Sequence, residues 1–115
     1  MTTGVYVLEA VYNDGVLIAH CEVPGHLYAI TDATNVTLVQ GTLNFQNGPI
    51  KEVGVNGIQN EPVIAILIDR LQFLDRAFPS DFNKNAIMHL EEALKSLQAR
   101  TANRISRGVE GLNIA

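Results

Sequence analysis

Hydrophobic and polar positions follow two different periods along the chain, and the change falls near residue 57. Before it, short segments rich in β-branched and aromatic residues lie between turn residues, a pattern typical of strands. They predict strands over residues 5–12, 16–23, 26–30, 36–45 and 50–55. The sequence Asn13-Asp14-Gly15 between the first two predicts a tight hairpin, because these residues tolerate positive φ. Gly41 inside the fourth segment predicts a bulge or bend.

From residue 63 to residue 78 the apolar positions recur every three or four residues, which predicts a helix. Its stripe is Ile64, Leu67, Leu71, Leu74 and Phe78, widened by Ile66, Ile68 and Phe73. Asn60 is a good residue for the N-cap, and Pro62 would fall in the first turn. Because the helix is apolar around much of its circumference, we expect it to be covered on more than one side.

A second, longer helix is predicted to begin near Asp81 or Asn83, both good N-cap residues. Its apolar stripe is Ile87, Leu90, Leu94 and Leu97, continuing through Thr101 to Ile105. Cations accumulate in the last turns and Gly108 follows them, which is typical of a helix C-terminus. The connection between the two helices is short, so they should form an antiparallel hairpin. We expect the tail after Gly108 to be loosely ordered.

The fold class is therefore α+β, an N-terminal antiparallel sheet followed by a C-terminal antiparallel two-helix hairpin. At 115 residues the chain should form a single domain over 1–115, with the sheet in 1–57 and the hairpin in 58–115.

The composition fits an oligomer that buries apolar surface between subunits and a monomer equally well. Apolar residues make up 47% of the chain and charged residues only 17%. The net charge of −4 argues against a general nucleic-acid binder. One cysteine, Cys21, allows no internal disulfide, and no apolar run is long enough for a membrane span. With no basic leader in the first residues, we expect a soluble intracellular protein.

Nothing in the sequence argues for catalysis or for a metal. His20, Cys21 and Glu22 are consecutive, so on a strand their side chains alternate and do not converge on one ion. Glu91 and Glu92 are adjacent and point about 100° apart on a helix, which excludes a two-carboxylate acid–base pair. We expect no catalytic residue, no metal and no cofactor.

Arg100, Arg104 and Arg107 provide the main functional signal, because their spacing of four and three puts them on one helix face. Two interpretations fit. The arginines could be solvated cations placed favourably at a helix C-terminus. They could instead form an anion site, most naturally for phosphates, which guanidinium binds in a bidentate manner. A nucleotide would also need an aromatic to stack on, and Phe73, Phe78 and Phe82 are candidates.

Four segments together resemble a known family. They are P-I-K-E-V-G-V-N-G-I-x-N-E from Pro49, I-D-R-L from Ile68, N-x-N-A-x-x-x-L-E-E-A-L from Asn83 and R-T-x-x-R-x-x-R-G-V-E-G from Arg100. Over roughly the last 67 residues the chain resembles the phage anti-defence helical-hairpin domain. That domain is shared by the anti-CBASS cyclic-nucleotide sponge and the first type of Thoeris anti-defence protein. The strands that precede the hairpin favour the Thoeris type.

The resemblance implies a non-enzymatic sponge that acts in the host cytoplasm and blocks Thoeris or CBASS immunity. Such proteins bind and hold intact a signal made by host TIR proteins, glycocyclic ADP-ribose, and some also bind cyclic di- or trinucleotides. They are homo-oligomers, dimers or hexamers, with sites between subunits. From the net charge and the lack of a long apolar run, we expect neither nucleic acid nor membrane as a partner of this chain.

Carried over residue by residue, the resemblance implies that Phe73 stacks on adenine, with Phe78 and Phe82 as alternatives. Asn83 and Arg100 would hydrogen-bond the ribose or phosphate groups, and Arg104, Arg107 and Lys51 are further candidates for the phosphates. Two other hypotheses stay open. The apolar helices could simply build a structural homo-oligomer without a small-molecule ligand, or the protein could be an enzyme that degrades the signal.

Overall fold

The computed structural model describes residues 9–32 and 38–114, and side chains from residue 10 to 32 and from 42 to 114. The chain divides into two compact units, Met1–Asn47 and Gly48–Ala115, each described by itself below. Within the described residues the first unit holds the strands and the second holds the helices. The single domain expected over 1–115 stays a prediction.

The described residues of the first unit form a four-stranded antiparallel sheet, as the alternating segments predicted. The strands are β1 (Glu9–Asn13), β2 (Leu17–Val23), β3 (Leu27–Asp32) and β4 (Leu38–Asn44), and they lie in sequence order. The predicted strand residues 5–8, 36 and 37 lie outside the described residues. The register of β3 and β4 shifts between the pairs Ala29–Thr42 and Thr31–Leu38. This irregularity brackets Gly41, where the sequence predicted it.

The hairpin between β1 and β2 is held by side chains of the turn itself. Asp14 Oδ1 accepts from the backbone N–H groups of Val16 and Leu17 at 2.9 and 2.8 Å, and Asn13 Oδ1 accepts from Gly15 N at 2.9 Å. The two bonds from Leu17 and Val16 hold the pKa of Asp14 below its ordinary value of 3.8. Gly15 has φ +86°, a conformation that favours glycine.

Among the side chains that the structure describes, the buried residues of the sheet lie on one face of its two central strands. Ile18 and His20 are two apart on β2, and Ala29 on β3 pairs directly with His20, so all three share that face. The Nε2 atom of His20 lies 3.0 Å from the hydroxyl of Thr31. His20 is therefore a hydrogen-bonded residue of the packed face.

The second unit contains three helices, α1 (Ile50–Val53), α2 (Asn60–Ala77) and α3 (Asp81–Ser106). The fifth strand predicted over 50–55 was wrong, because these residues form the single turn α1 and then irregular chain. Pro49 occupies the N-cap with φ −67°, and the N–H of Gly54 closes the turn on the carbonyl of Ile50 at 2.8 Å. The two long helices match the predicted hairpin, and the α+β class is confirmed. None of the helices described here has the length and apolar content that crossing a membrane requires.

Candidate functional site

The two long helices pack through one stripe each. On α3 the half-buried positions recur at three and four residues and include Ile87, Leu90, Leu94, Leu97 and Thr101, as predicted. On α2 the innermost residue is Ile68, which is buried. The continuation of the α3 stripe was wrong at its end: Ile105 is 63% exposed and Arg104 takes the inward position at 4%. A buried guanidinium must have hydrogen-bond partners, and these define one part of the site.

The connection between α2 and α3 is fixed by Asp75. Its Oδ1 accepts from the backbone N–H of Ser80 at 2.9 Å, and its other oxygen lies 3.1 Å from the ammonium of Lys84. The bond from Ser80, followed by that from Lys84, lowers the pKa of Asp75 from its ordinary value of 3.8. The end of α2 is thus tied to the first turn of α3.

The N-cap of α3 is Ser80, not the predicted Asp81 or Asn83. Its hydroxyl accepts from the backbone N–H groups of Phe82 at 3.1 Å and Asn83 at 3.5 Å. Similarly, Asn60 is the first residue of α2 and Gln59 is its N-cap, without a side-chain cap bond. Both helices therefore start close to the predicted positions with different caps.

Three phenylalanines are exposed around this connection. Phe73 lies on α2 and is 59% exposed, Phe78 follows the helix at 76%, and Phe82 in the first turn of α3 reaches 88%. Asn83 is half-buried in that same turn. Rings this open to solvent offer large apolar faces for stacking. The predicted aromatic and amide residues therefore lie at the end of the hairpin where the helices connect, which we call the turn end.

The three arginines share a helix face but have different environments. Arg100 is exposed, and within the described residues its side chain makes no hydrogen bond to the chain. Arg107 is exposed and donates from Nε to Asn103 Oδ1 at 3.0 Å. Arg104 is buried and pairs with Glu110 at 3.0 Å. Of these three arginines, Arg100 and Arg107 are therefore exposed, whereas Arg104 is buried.

The C-terminal tail, which we define as Val109–Ile114, folds back on Arg104. The guanidinium donates to the carbonyls of Val109 at 2.9 Å and Leu112 at 2.8 Å, and also to the carbonyl of Ile114. The expectation of a loosely ordered tail was wrong, because these carbonyls satisfy the buried cation. Sequence reasoning missed Glu110 and the tail; the only available signal was the closeness of a carboxylate to the arginines in R-G-V-E-G.

Lys51 on α1 lies against this tail. Its backbone N–H donates to the carbonyl of Gly111 at 3.1 Å. Its aliphatic stem lies so close to Gly111 that a Cβ there would approach Lys51 Cγ to 2.8 Å. The stem of Lys51 contacts the tail although the residue as a whole is exposed, so we expect its ammonium to reach solvent.

The predicted residues thus form two groups at opposite ends of the hairpin. Phe73 and Asn83 lie at the turn end. Lys51 and the three arginines lie at the other end, which we call the open end. With a rise of 1.5 Å per residue, Asn83 and Arg100 are about 26 Å apart along α3. A nucleotide-sized ligand does not reach both groups within one copy of the chain.

A groove of about 340 Å³ lies between these ends, along the middle of α2 and α3. It is lined by Ala65, Ile68, Glu91, Leu94, Lys95 and Gln98, none of which was predicted as a site residue. Among residues 9–32 and 38–114, no group of three His, Cys, Asp or Glu side chains could hold a metal ion.

An antiparallel helix pair with an aromatic turn end and a cationic open end defines the chain as a helical-hairpin protein. Its residues 40–102 match the family described as Acb2/Tad1, hairpin domain, and the chain belongs to that family. The matched range contains Lys51, Phe73, Asn83 and Arg100.

A curated relative is "Thoeris anti-defense 1" of Bacillus phage SBSphiJ7. It is 52% identical over 71 residues, which cover 61% of this chain and 50% of the relative. The matched region thus spans about half the length of that relative.

Proposed function

We propose that this chain is a Thoeris anti-defence protein that binds glycocyclic ADP-ribose in the host cytoplasm and holds it without cleaving it. The observation that carries the proposal is the 52% identity over 71 residues to a protein named "Thoeris anti-defense 1". The family match supports it further, because the matched residues include the aromatic, amide and cationic side chains that such a ligand needs.

The chemistry of the two ends suits the two parts of this ligand. An exposed Phe73 ring provides a stacking surface for adenine, worth about 1–3 kcal/mol per base. Arg100, Arg107 and Lys51 provide exposed cations, and hydrogen bonds to charged groups contribute about 1.5–3 kcal/mol each. One stacked base and a few phosphate contacts bring the sum toward the roughly 12 kcal/mol of nanomolar binding. Sequestration needs this affinity and no catalytic group.

We place the ligand between two copies of the chain. The turn end and the open end are too far apart in one copy, so a second copy must bring its open end to the first copy's Phe73 and Asn83. In a two-fold dimer the same contact occurs twice, which gives two composite sites. Cyclic di- and trinucleotides would be further ligands of the assembly.

Exposed apolar side chains support a homo-oligomer. In the helical unit, large apolar residues that are exposed in the single chain include Val53, Val55, Ile66, Leu67, Met88 and Ile105. Exposed apolar surface of this kind, on a chain with 17% charged residues, is typical of a surface that an interface with another subunit buries. We propose a dimer or a hexamer built through these residues.

A depletion experiment tests the proposal directly. The protein is incubated with glycocyclic ADP-ribose, the bound fraction is removed by filtration, and the retained protein is heat-denatured. We expect the free signal to disappear and the same molecule to return, unchanged by mass spectrometry, after heating. A hydrolysed product would establish an enzyme instead. Arg100→Ala should abolish depletion, whereas Lys95→Ala, which removes an exposed cation from another face of α3, should not.

A mixing experiment tests the composite site. Phe73→Ala and Arg100→Ala are each expected to bind poorly, because every site contains one damaged end. The two variants are then mixed and allowed to exchange subunits. If each dimer has two composite sites, the mixture should contain about a quarter as many intact sites as the wild-type protein. No recovery after verified exchange would mean that both residues act from the same copy.

The second candidate is a structural homo-oligomer without a small-molecule ligand. The exposed apolar residues favour it as much as they favour the sponge. The depletion experiment distinguishes the two candidates. A structural protein would form the same oligomer and leave the concentration of free signal unchanged.

A further inference from the structure

Arg104 directs most of its hydrogen-bonding capacity to the tail. A guanidinium has five N–H donors, and four bonds from Arg104 go to Glu110 and to the carbonyls of Val109, Leu112 and Ile114. Its side chain is 5% exposed, and the backbone carbonyl of the same residue accepts from Val109 N at 3.0 Å. The Arg104 guanidinium could contact a ligand only if the tail moved away from it and exposed its charge.

The tail in turn contacts another predicted binding residue, Lys51. Gly111 follows Glu110 directly, and its N–H donates to the Glu110 carboxylate at 3.2 Å. The carbonyl of the same glycine accepts from Lys51 N, and its α-carbon lies against the lysine stem. Arg104 therefore connects to Lys51 through two residues of the tail, by hydrogen bonds at each step.

Arg100 completes the group at the open end. Its charge acts on Glu110, so the carboxylate that holds Arg104 also lies within electrostatic range of an exposed arginine. The tail thus brings together a backbone contact to Lys51 and a charge interaction with Arg100. Residues distant in sequence, at positions 51 and 100, become neighbours of one folded segment.

We propose that Arg104 is a positioning residue of the anion site: it folds the tail, and the tail holds Lys51 in place to meet a ligand phosphate. This proposal rests on the function proposed above. It changes the role of Arg104 from a cation that binds phosphate to one that acts on phosphate binding through Lys51. Lys51 is then the residue that touches the ligand.

A double-mutant cycle tests this by titration calorimetry with glycocyclic ADP-ribose. Arg104→Met keeps much of the buried volume and removes the four donors. We expect Arg104→Met and Lys51→Ala each to weaken binding about tenfold, as for the loss of one charge-assisted contact. The double variant should be no weaker than either single variant, because both act through the same ammonium. Losses that multiply would overturn the proposal.

A second variant keeps the test usable if Arg104→Met does not fold. Gly111→Ala leaves every arginine in place but adds a Cβ that meets the lysine stem at 2.8 Å, at φ +80°. The matched control is Gly108→Ala, which has φ +71° and open space around the new Cβ. Both should lower the melting temperature, and only Gly111→Ala should weaken binding. An equal loss of affinity in both would overturn the proposal, since affinity would then follow stability alone.

The wild-type measurement separates the two levels of inference. If the wild-type protein binds no signal, the proposed function fails. If it binds and Arg104→Met, folded, binds with the same affinity, only the role of Arg104 fails. If Arg104→Met also lowers the affinity in the Lys51→Ala variant, Arg104 contacts the ligand directly or acts independently of Lys51, and its role as a positioning residue fails.

Discussion

The guanidinium of Arg104 donates from Nε to Oε1 of Glu110 at 3.0 Å, and this pair closes the tail onto the end of α3. Three arginines on one helix face need an anion among them, because like charges at this spacing repel. One such anion is a carboxylate of the same chain, that of Glu110, six residues after Arg104. Arg100 and Arg107 are exposed, so the pair separates one buried arginine of this face from two exposed ones.

This pair predicts a specific response to acid. The hydrogen bond from Arg104, assisted by the N–H of Gly111 and the charge of Arg100, holds the pKa of Glu110 below its ordinary value of 4.5. The folded protein thus binds fewer protons than the unfolded chain near that pH. The stabilisation is fully present above about pH 4.5 and is lost as the pH falls through the lower, folded-state pKa.

Glu110→Gln should therefore lower the melting temperature at pH 7 and flatten its decline between pH 5 and pH 3. Differential scanning calorimetry at several pH values gives both quantities. Asp14 and Asp75 also have lowered pKa values, so part of the decline should persist. Glu92→Gln is the control, because Glu92 is an exposed carboxylate of α3. A decline equally steep in Glu110→Gln and wild type would contradict the assignment.

The cap of α3 gives a second prediction. The hydroxyl of Ser80 accepts from two backbone N–H groups in the first turn, and Ser80→Ala removes that acceptor. We expect a loss of about 1 kcal/mol in the free energy of unfolding, measured by urea denaturation followed by circular dichroism. Ser96→Ala, at an exposed position inside the same helix, should be neutral or slightly stabilising. Equal effects at both positions would show that Ser80 does not cap the helix.

The sequence allowed the main elements of the fold to be predicted because each depends on local chemistry. Asn13-Asp14-Gly15 supplies its own hydrogen bonds, and the change of period after residue 57 separates strands from helices. The error at 50–55 has a physical cause. A segment of six residues is too short to distinguish one helical turn from a strand, and Pro49 with Gly54 decided the outcome.

The candidate site was predictable in residue type but not in arrangement. The spacing of Arg100 and Arg104 correctly predicted that they share a helix face. The burial of Arg104 depends on the folded tail, so the spacing did not predict it. The N-cap likewise depended on a side-chain contact across the turn, because Asp75 at the end of α2 accepts the N–H of Ser80 five residues later. Contacts that depend on how the chain returns to itself have no local signal.

The first hairpin gives a third prediction. Gly15 has φ +86°, and a Cβ added there would meet no atom within 4 Å, so its substitution tests backbone conformation alone. Gly15→Ala should destabilise the folded chain by about 1–2 kcal/mol. Gly15→Asn should restore much of this loss, because asparagine tolerates the left-handed region. Chemical denaturation compares the three proteins, and an alanine variant as stable as wild type would refute the argument.

The last prediction concerns which aromatic ring would stack on the base of the proposed ligand. Phe73 projects from α2 four residues before the helix ends, whereas Phe78 and Phe82 flank the connection itself and are more exposed. A ring one turn inside a helix is better preorganised for stacking than one at a helix end beside the connection. Phe73→Ala should therefore weaken binding of glycocyclic ADP-ribose by about 1–3 kcal/mol, measured by titration calorimetry. Phe73→Tyr keeps the aromatic face and should bind almost as tightly as wild type. Phe82→Ala is the matched control at an even more exposed ring, and a larger loss there than at Phe73 would move the stacking position to the turn.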